Sequence, residues 1–469
     1  MNIVCIGSGY VGSVTGTAFA VLGHKTTVID INQQKVDLMN SGKSPIFEPG
    51  LDELINKYIG NTLSATTSYK VVNDADVIFI GVGTPSKEDG TADLKYIKLA
   101  AKSIGENLNP NRFTVIIDKS TVPLGTGDLV SSIITEVSGL EVEKDFAVVS
   151  NPEFLREGYA LEDVFYPDRV VIGTTNEKAK IVMRELYSNL IERANYEELS
   201  KDFVFDYNEN APKTIYFETD IKSAEMIKYA SNAFLAVKIS YINEIARLSE
   251  TLGANVLDVA KGMGLDSRIG SKFLQVSSGW SGSCFPKDTA ELLVTSQKYG
   301  NELSIVKAAV ESNERMHHFC VEKVHRELKS LNGKNIGVLG LTFKPNTDDA
   351  RKTQASTIIK KLIDLGANVK VHDPQGMDMF KSLNPDLEIQ YVESPEQVAV
   401  NADALVLLTH WDQYLNLNWE QVYNLMRNPF ILDTRNFLRE LPLSSLGFNY
   451  EGIGIGIKEQ VKNKQPLFI

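Results

Sequence analysis

The chain opens on a short apolar run, N-I-V-C-I over 2–6, and G-S-G-Y-V-G over 7–12 follows at once. Few folds are open to a strand that feeds a glycine-rich turn. Residues 14–22 have helical spacing and stop at Gly23, and 25–29 read as a second strand closing on Asp30. This predicts a βαβ unit whose turn cradles a pyrophosphate. Gly7 allows the tight turn, Gly9 the approach of backbone to the pyrophosphate, and Gly12 the packing of helix on strand. The helix start adds N–H groups and partial positive charge. An acid at the end of the second strand binds ribose hydroxyls and repels a 2′-phosphate, so Asp30 predicts NAD rather than NADP.

Apolar runs recur at 75–81, 113–118, 146–150 and 169–173, with helical stretches between most of them, as in a doubly wound parallel sheet. The pattern changes near 220. Residues 221–252 carry apolar positions at helical spacing, predicting a helix of about 45 Å that suits a spine or an oligomer interface. A second α/β series begins at Lys334, with strands at 335–339, 369–372, 402–408 and 430–432. It ends one strand in Asp373, much as the first unit ends one in Asp30, but lacks the glycine-rich turn. The expected fold is therefore α/β, two doubly wound Rossmann-like parts joined by a helical part. The expected segments are 1–215, 216–330 and 331–469, with 196–220 an irregular insertion rich in acids and Asn.

Charge narrows the partners. Against 48 Lys and Arg stand 60 Asp and Glu, a net −12, a poor match for nucleic acid or an anionic membrane. No apolar run reaches the roughly 18 residues of a membrane helix. The three cysteines and the immediate first strand point to a reducing, cytoplasmic setting with no signal peptide.

Several residues can carry chemistry. G-V-G-T-P-S (81–86) and S-T-V-P (120–123) follow strands and are expected to line the cofactor cleft through Gly83, Thr84, Pro85, Ser120 and Thr121. Cys284 lies in a Gly/Ser loop just before Lys287 and Asp288, where a nearby cation favours a thiolate. Cys5 and Cys320 read as packing residues. Lys228 and Asn232 are i and i+4 on the long helix, either a polar stripe or two donors aimed at a developing oxyanion. Glu153 and Glu157 are i and i+4 if their segment is helical, and Glu153 is a candidate base. His317 and His318 read as an exposed pair, and no metal-ligand cluster is evident.

These motifs, with P-D-R-V-V-I-G, A-E-M-I-K-Y-A-S-N-A-F-L-A, S-R-I-G, G-S-C-F-P-K-D and L-T-F-K-P-N-T-D-D-A-R in order, resemble the UDP-glucose/GDP-mannose dehydrogenase family over nearly the whole chain. The resemblance implies two successive NAD-dependent oxidations at a sugar C6, taking UDP-glucose to UDP-glucuronate. Cys284 would form a thiohemiacetal and then a thioester. Lys228 and Asn232 would stabilise the oxyanion, and Glu153, Thr121 and Asp288 would position or activate water. Cofactor contacts would fall on Tyr10, Val11, Asp30, Lys35, Thr84, Thr121, Glu157, Lys287 and Arg351. Substrate contacts would fall on Glu153, Phe154, Leu155, Lys228, Asn232, Phe343, Lys344 and Arg435, and on Phe273, Leu274, Ser277, Gly279 and Gly282 of one loop. Arg268 would reach a neighbouring subunit, implying at least a dimer. GDP-mannose, a UDP-N-acetylhexosamine and a simple two-electron hydroxyacid oxidation remain alternatives, as does a non-catalytic nucleotide sensor. The loop reads W-S-G-S-C over 280–284 where the family commonly has a second glycine, so Ser281 adds a side chain beside the sugar.

Overall fold

The computed structural model describes residues 1–193, 195–201 and 210–455. Residues 202–209 of the expected insertion and 456–469 of the expected third segment lie outside the described residues. Two compact units emerge, Met1–Ser231 with Ala290–Thr295, and Asn232–Thr289 with Ser296–Ile469.

The first unit holds strands β1 (Asn2–Ile6), β2 (Lys25–Ile29), β3 (Leu63–Thr66), β4 (Val77–Ile80), β5 (Thr114–Asp118), β6 (Phe146–Ser150), β7 (Arg169–Gly173) and β8 (Ile215–Thr219). Their order is β3-β2-β1-β4-β5-β6-β7-β8. The crossover between β1 and β4 makes the topological switch point where such sheets bind ligands. Alternate residues feed two cores: Ile3, Cys5, Val77, Phe79, Val115 and Ile117 on one face, Val4, Ile6, Ile78, Ile80 and Ile116 on the other. Burial on both faces explains the continuous apolar runs. Each such side chain contributes roughly 1.5–3 kcal/mol. The sheet is not wholly parallel, because β7 meets β6 through a single antiparallel bridge, Ser150 to Gly173. Within the stretch read as an irregular insertion, Tyr196–Leu199 is helical and Ile215–Thr219 is strand β8, paired in parallel with β7.

The second unit carries β9 (Asn335–Leu339), β10 (Asn368–His372), β11 (Ile389–Tyr391), β12 (Ala404–Leu407), β13 (Phe430–Asp433) and β14 (Asn449–Gly452). The order is β11-β10-β9-β12-β13-β14, parallel throughout. The same alternation sends Ile336, Val338, Ala404 and Val406 to one core and Leu339, Leu405 and Leu407 to the other. The long helix is present as Ile221–Leu252. Among the described residues no helix is long and apolar enough to cross a membrane.

Candidate active site

In the first unit the turn after β1 is built from backbone alone. Gly7 has φ +98°, and a Cβ on Gly12 would lie 1.8 Å from the Gly7 carbonyl oxygen, so only glycine lets the helix Tyr10–Val21 start so close to the strand. Gly9 caps that helix without any side-chain bond, and a Cβ there would meet nothing within 4 Å. Tyr10 and Val11, the first residues of the helix, are half-buried. Tyr10 donates its hydroxyl to the Phe47 carbonyl at 2.7 Å.

Asp30 accepts from the Ser8 N–H at 2.9 Å, the Ser8 hydroxyl at 2.5 Å and the Asn32 N–H at 2.9 Å. Burial alone would raise its carboxyl, but these bonds and the charge of Lys35 hold it below the ordinary value. An ionised acid beside an uncapped helix N-terminus fits a dinucleotide. The loops after β4 and β5 are tied together: Thr84 donates to the Thr121 carbonyl at 2.8 Å, and Ser120 to the Val82 carbonyl at 2.8 Å. Gly83 has open space above its Cα, and the Pro85 carbonyl accepts from the Asp93 N–H at 2.7 Å.

Past β6 the segment 151–156 is irregular, so Glu153 and Glu157 do not form the helical i,i+4 pair considered from sequence. The cause is Pro152 followed by Gly158 at φ +78°, with the Gly158 and Ala160 N–H groups turned onto buried Glu48 at 2.6 Å each. Glu153 instead meets Lys228 at 2.8 Å, both side chains nearly out of solvent. Its other oxygen accepts from the Leu155 N–H at 2.7 Å. Burial pushes the Glu153 carboxyl up, but Lys228 and these bonds pull it below its ordinary value, so it is a carboxylate. Phe154 presents its ring to the Lys228 ammonium, 5.3 Å from the centroid, and to the Arg169 guanidinium at 3.9 Å.

Sequence reasoning missed Lys119. Its ammonium is buried, donates to Asn151 Oδ1 at 3.1 Å, and is drawn down to about 8 by burial, with Glu153 opposing and Lys228 assisting. Its only signal was adjacency to S-T-V-P.

In the second unit Cys284 is exposed and directly precedes the helix Phe285–Lys298, at the positive end of the helix dipole. One turn on, fully buried Asp288 accepts from Asn232 Nδ2 at 2.6 Å on one oxygen and from Lys287 Nζ at 2.7 Å on the other. Both oxygens are thus engaged, and Lys287 is committed to Asp288. The preceding loop is heavily anchored. The Ser277 N–H donates to Asn243 Oδ1 at 3.0 Å, and Trp280 exchanges two bonds with Asn313, at 2.7 and 2.8 Å. Trp280 Nε1 donates to the Ser240 hydroxyl at 2.9 Å. Phe273 is held at φ +65°, costly for an aromatic residue and an indication of constraint. Leu274 is buried in the apolar core. Gly279 lies against His317, whose Nε2 would be 2.8 Å from a Cβ there. His317 is therefore buried, not exposed as its sequence context suggested: it packs on the loop, and burial lowers it to about 4. Cys5 and Cys320 are buried, and burial lifts each to about 12.

Phe343 and Lys344 follow β9, and Arg435 follows β13. Lys344 lies 5.5 Å from the Phe343 ring centroid, and half-buried Arg435 donates to the Leu408 carbonyl at 2.9 Å. Arg351 is exposed and grips Asp349 at 2.8 Å. Arg268 is exposed and paired with Asp266 at 2.6 Å. Asp373, the counterpart of Asp30, is fully buried. It accepts from Leu341, Thr342, Gln375 and Gly376 N–H groups and from Trp411 Nε1. It has no capacity left for a ribose.

Residues 1–191 match the NAD binding domain of the UDP-glucose/GDP-mannose dehydrogenase family, 222–315 its central domain and 337–440 its UDP binding domain. A UDP-glucose 6-dehydrogenase of Rhizobium meliloti (strain 1021) is 43% identical over 460 residues, covering 97% of this chain and 99% of that protein. A solved UDP-glucose dehydrogenase from Pyrobaculum islandicum superposes with a TM-score of 0.84 at 35% identity, over 97% of this chain and 98% of that one. A UDP-D-ManNAc dehydrogenase from Pyrococcus horikoshii gives 0.81 at 27% identity, over 97% and 100%. With three domains matched in order and relatives aligned end to end, the chain belongs to the UDP-glucose/GDP-mannose dehydrogenase family and is an NAD-dependent oxidoreductase.

Proposed function

We propose that this chain oxidises the C6 hydroxymethyl of UDP-glucose to the carboxylate of UDP-glucuronate, through covalent intermediates on Cys284. The observation that carries the reading is the exposed thiol at a helix start, one turn before an Asp288 whose carboxylate holds the Asn232 amide. NAD⁺, which the Gly7–Gly12 turn and Asp30 would hold, would supply the hydride acceptor for each of the two oxidations at C6. In the first, the hydroxyl loses its proton and C6 becomes an aldehyde. The Cys284 sulfur then adds to that carbon, its proton going to the new oxyanion, to give a thiohemiacetal. The second oxidation takes the remaining hydride and the hydroxyl proton and leaves a thioester. Water attacks the thioester, the C–S bond breaks, and the thiol is regenerated with the carboxylate. Lys228 and Asn232 supply the donors for the oxygen that becomes negative. Lys228, an ammonium against Glu153, acts as a donor only, and the hydroxyl proton leaves to solvent water. Glu153, held ionised by Lys228, orients the water together with Thr121, and Asp288 fixes Asn232 and Lys287.

In this reading 1–215 binds NAD, 216–330 carries the catalytic helix and loop, and 331–469 holds the UDP through Phe343, Lys344 and Arg435. The chain acts as at least a dimer. Phe234, Tyr241 and Leu248 recur every seven residues on the long helix and stay 64%, 49% and 53% exposed, an apolar stripe suited to a second copy. Arg268, exposed in the loop after the next helix, would serve the neighbouring site.

The likeness to the UDP-D-ManNAc dehydrogenase favours one second reading, a UDP-N-acetylhexosamine as substrate. Initial rates of NADH formation with UDP-glucose, UDP-N-acetylmannosamine and GDP-mannose separate them. The proposal expects kcat/KM highest for UDP-glucose by at least about 100-fold. A higher value for either rival overturns the substrate assignment.

A further inference from the structure

We propose that Ser281 and Gln354 form a positioning pair that fixes the Cys284 loop for the thioester chemistry, an inference that rests on the reading above. The Ser281 hydroxyl donates to Gln354 Oε1. Ser281 is half-buried in the loop, and Gln354, 1% exposed, is the first residue of the helix Gln354–Asp364. That helix is already capped by Thr353, whose hydroxyl accepts from the Ala355 N–H. The Gln354 amide is therefore not needed as a cap.

Nor is Gln354 optimised for stability. Its Nε2 is buried without a hydrogen-bond partner among the described residues. Whichever way the amide is turned, one end serves Ser281 and the other is left unpaired. A buried amide retained for folding alone would satisfy both ends or be replaced by an apolar side chain. What the arrangement does supply is a tether. Trp280 is pinned to Asn313 and Ser240, and Gly282 donates its N–H to the Lys352 carbonyl at 3.3 Å. Ser281 joins these two anchors through its side chain, three residues before the nucleophile. A glycine at 281 would leave the loop a freely rotating backbone at that point. The pair thereby holds the sulfur in reacting geometry, where small displacements cost rate more than binding.

The test uses the full-length enzyme with UDP-glucose and NAD⁺. Ser281→Ala, Gln354→Leu, the double variant, Ser281→Thr and Cys284→Ala are compared for kcat, KM, melting temperature and NADH released per substrate. Each single variant of the pair is expected to lower kcat about tenfold with KM for UDP-glucose within about twofold. The double variant should be no slower than the worse single, since the two act as one unit. Ser281→Thr, which keeps the hydroxyl, should restore most of the rate. Wild-type kcat in both singles overturns the proposal. So does a loss of kcat that is additive in the double and accompanied by a raised KM and a lowered melting temperature, which marks packing. Cys284→Ala separates the two levels of argument. If it retains full NADH stoichiometry, the covalent reading and this inference fall together. If it loses the second equivalent while the pair variants stay wild-type, only this inference falls.

Discussion

Glu153 and Lys228 show how a buried pair sets protonation before any substrate arrives. The carboxyl is held below its ordinary value, so its stabilisation is present above the unfolded value of 4.5 and lost as pH falls through the lower folded value. Glu153→Gln leaves a buried ammonium facing a neutral amide and should cost roughly 3 kcal/mol. The same variant should flatten the acid limb of the melting-temperature profile, and calorimetry across pH 3–7 reads both effects. Asp118 carries the opposite sign. Burial with the nearby charge of Glu225 pushes it well above 3.8, opposed by the Ser120 N–H. The folded form therefore keeps a proton the unfolded chain gives up, and stability falls as pH rises above about 4, by up to about 1.4 kcal/mol per unit. Asp118→Asn removes that slope. Its melting temperature should match wild type near pH 4 and exceed it increasingly as pH rises above that. A constant offset across pH would show that Asp118 titrates normally. Residues of this kind were invisible in the sequence, because Asp118, Lys119 and Glu48 owe their character to distant partners, whereas Asp30 and Cys284 announce themselves by local context.

Elements were legible according to how they are covered. The runs at 2–6, 25–29, 75–81, 113–118, 146–150 and 169–173 are all interior strands of the first sheet, and the four runs of the second series are interior too. The strands that did not stand out are β3, β8, β11 and β14, the four sheet edges. An edge strand has a neighbour on one side and partly exposed residues, as in β8, where Ile215 is 65% and Phe217 47% exposed, so the continuous apolar signal disappears. The loop before Cys284 is an element defined by contacts rather than by pattern. Gly282 has φ +88°, and a Cβ there would come within 2.8 Å of the Phe343 ring. Gly282→Ala should therefore displace the loop, lowering kcat by at least about tenfold at a stability cost of about 1–3 kcal/mol. Steady-state kinetics with a melting curve checks this, and wild-type kinetics would mean the loop tolerates a side chain where the packing forbids one.

At the scale of the whole molecule, the eight-stranded sheet has in its first six strands the order that the six-stranded sheet repeats, but the turns after their first strands differ. The first keeps an uncapped glycine turn and an ionised Asp30, while in the second Asp373 is saturated by backbone N–H groups and Trp411. One dinucleotide per chain follows, and isothermal titration with NAD⁺ should give a stoichiometry near one. The apolar stripe on the long helix carries the assembly argument. Leu248→Glu together with Phe234→Glu should convert the sedimenting species to monomer, and an unchanged sedimentation coefficient would place the interface elsewhere. The central claim is that one sulfur holds the half-oxidised sugar between two hydride transfers. The most direct measurement is NADH released per UDP-glucose consumed by wild type and by Cys284→Ala. The account predicts two equivalents from the wild type and no more than one from the variant, with the aldehyde accumulating. Two equivalents from Cys284→Ala would contradict it.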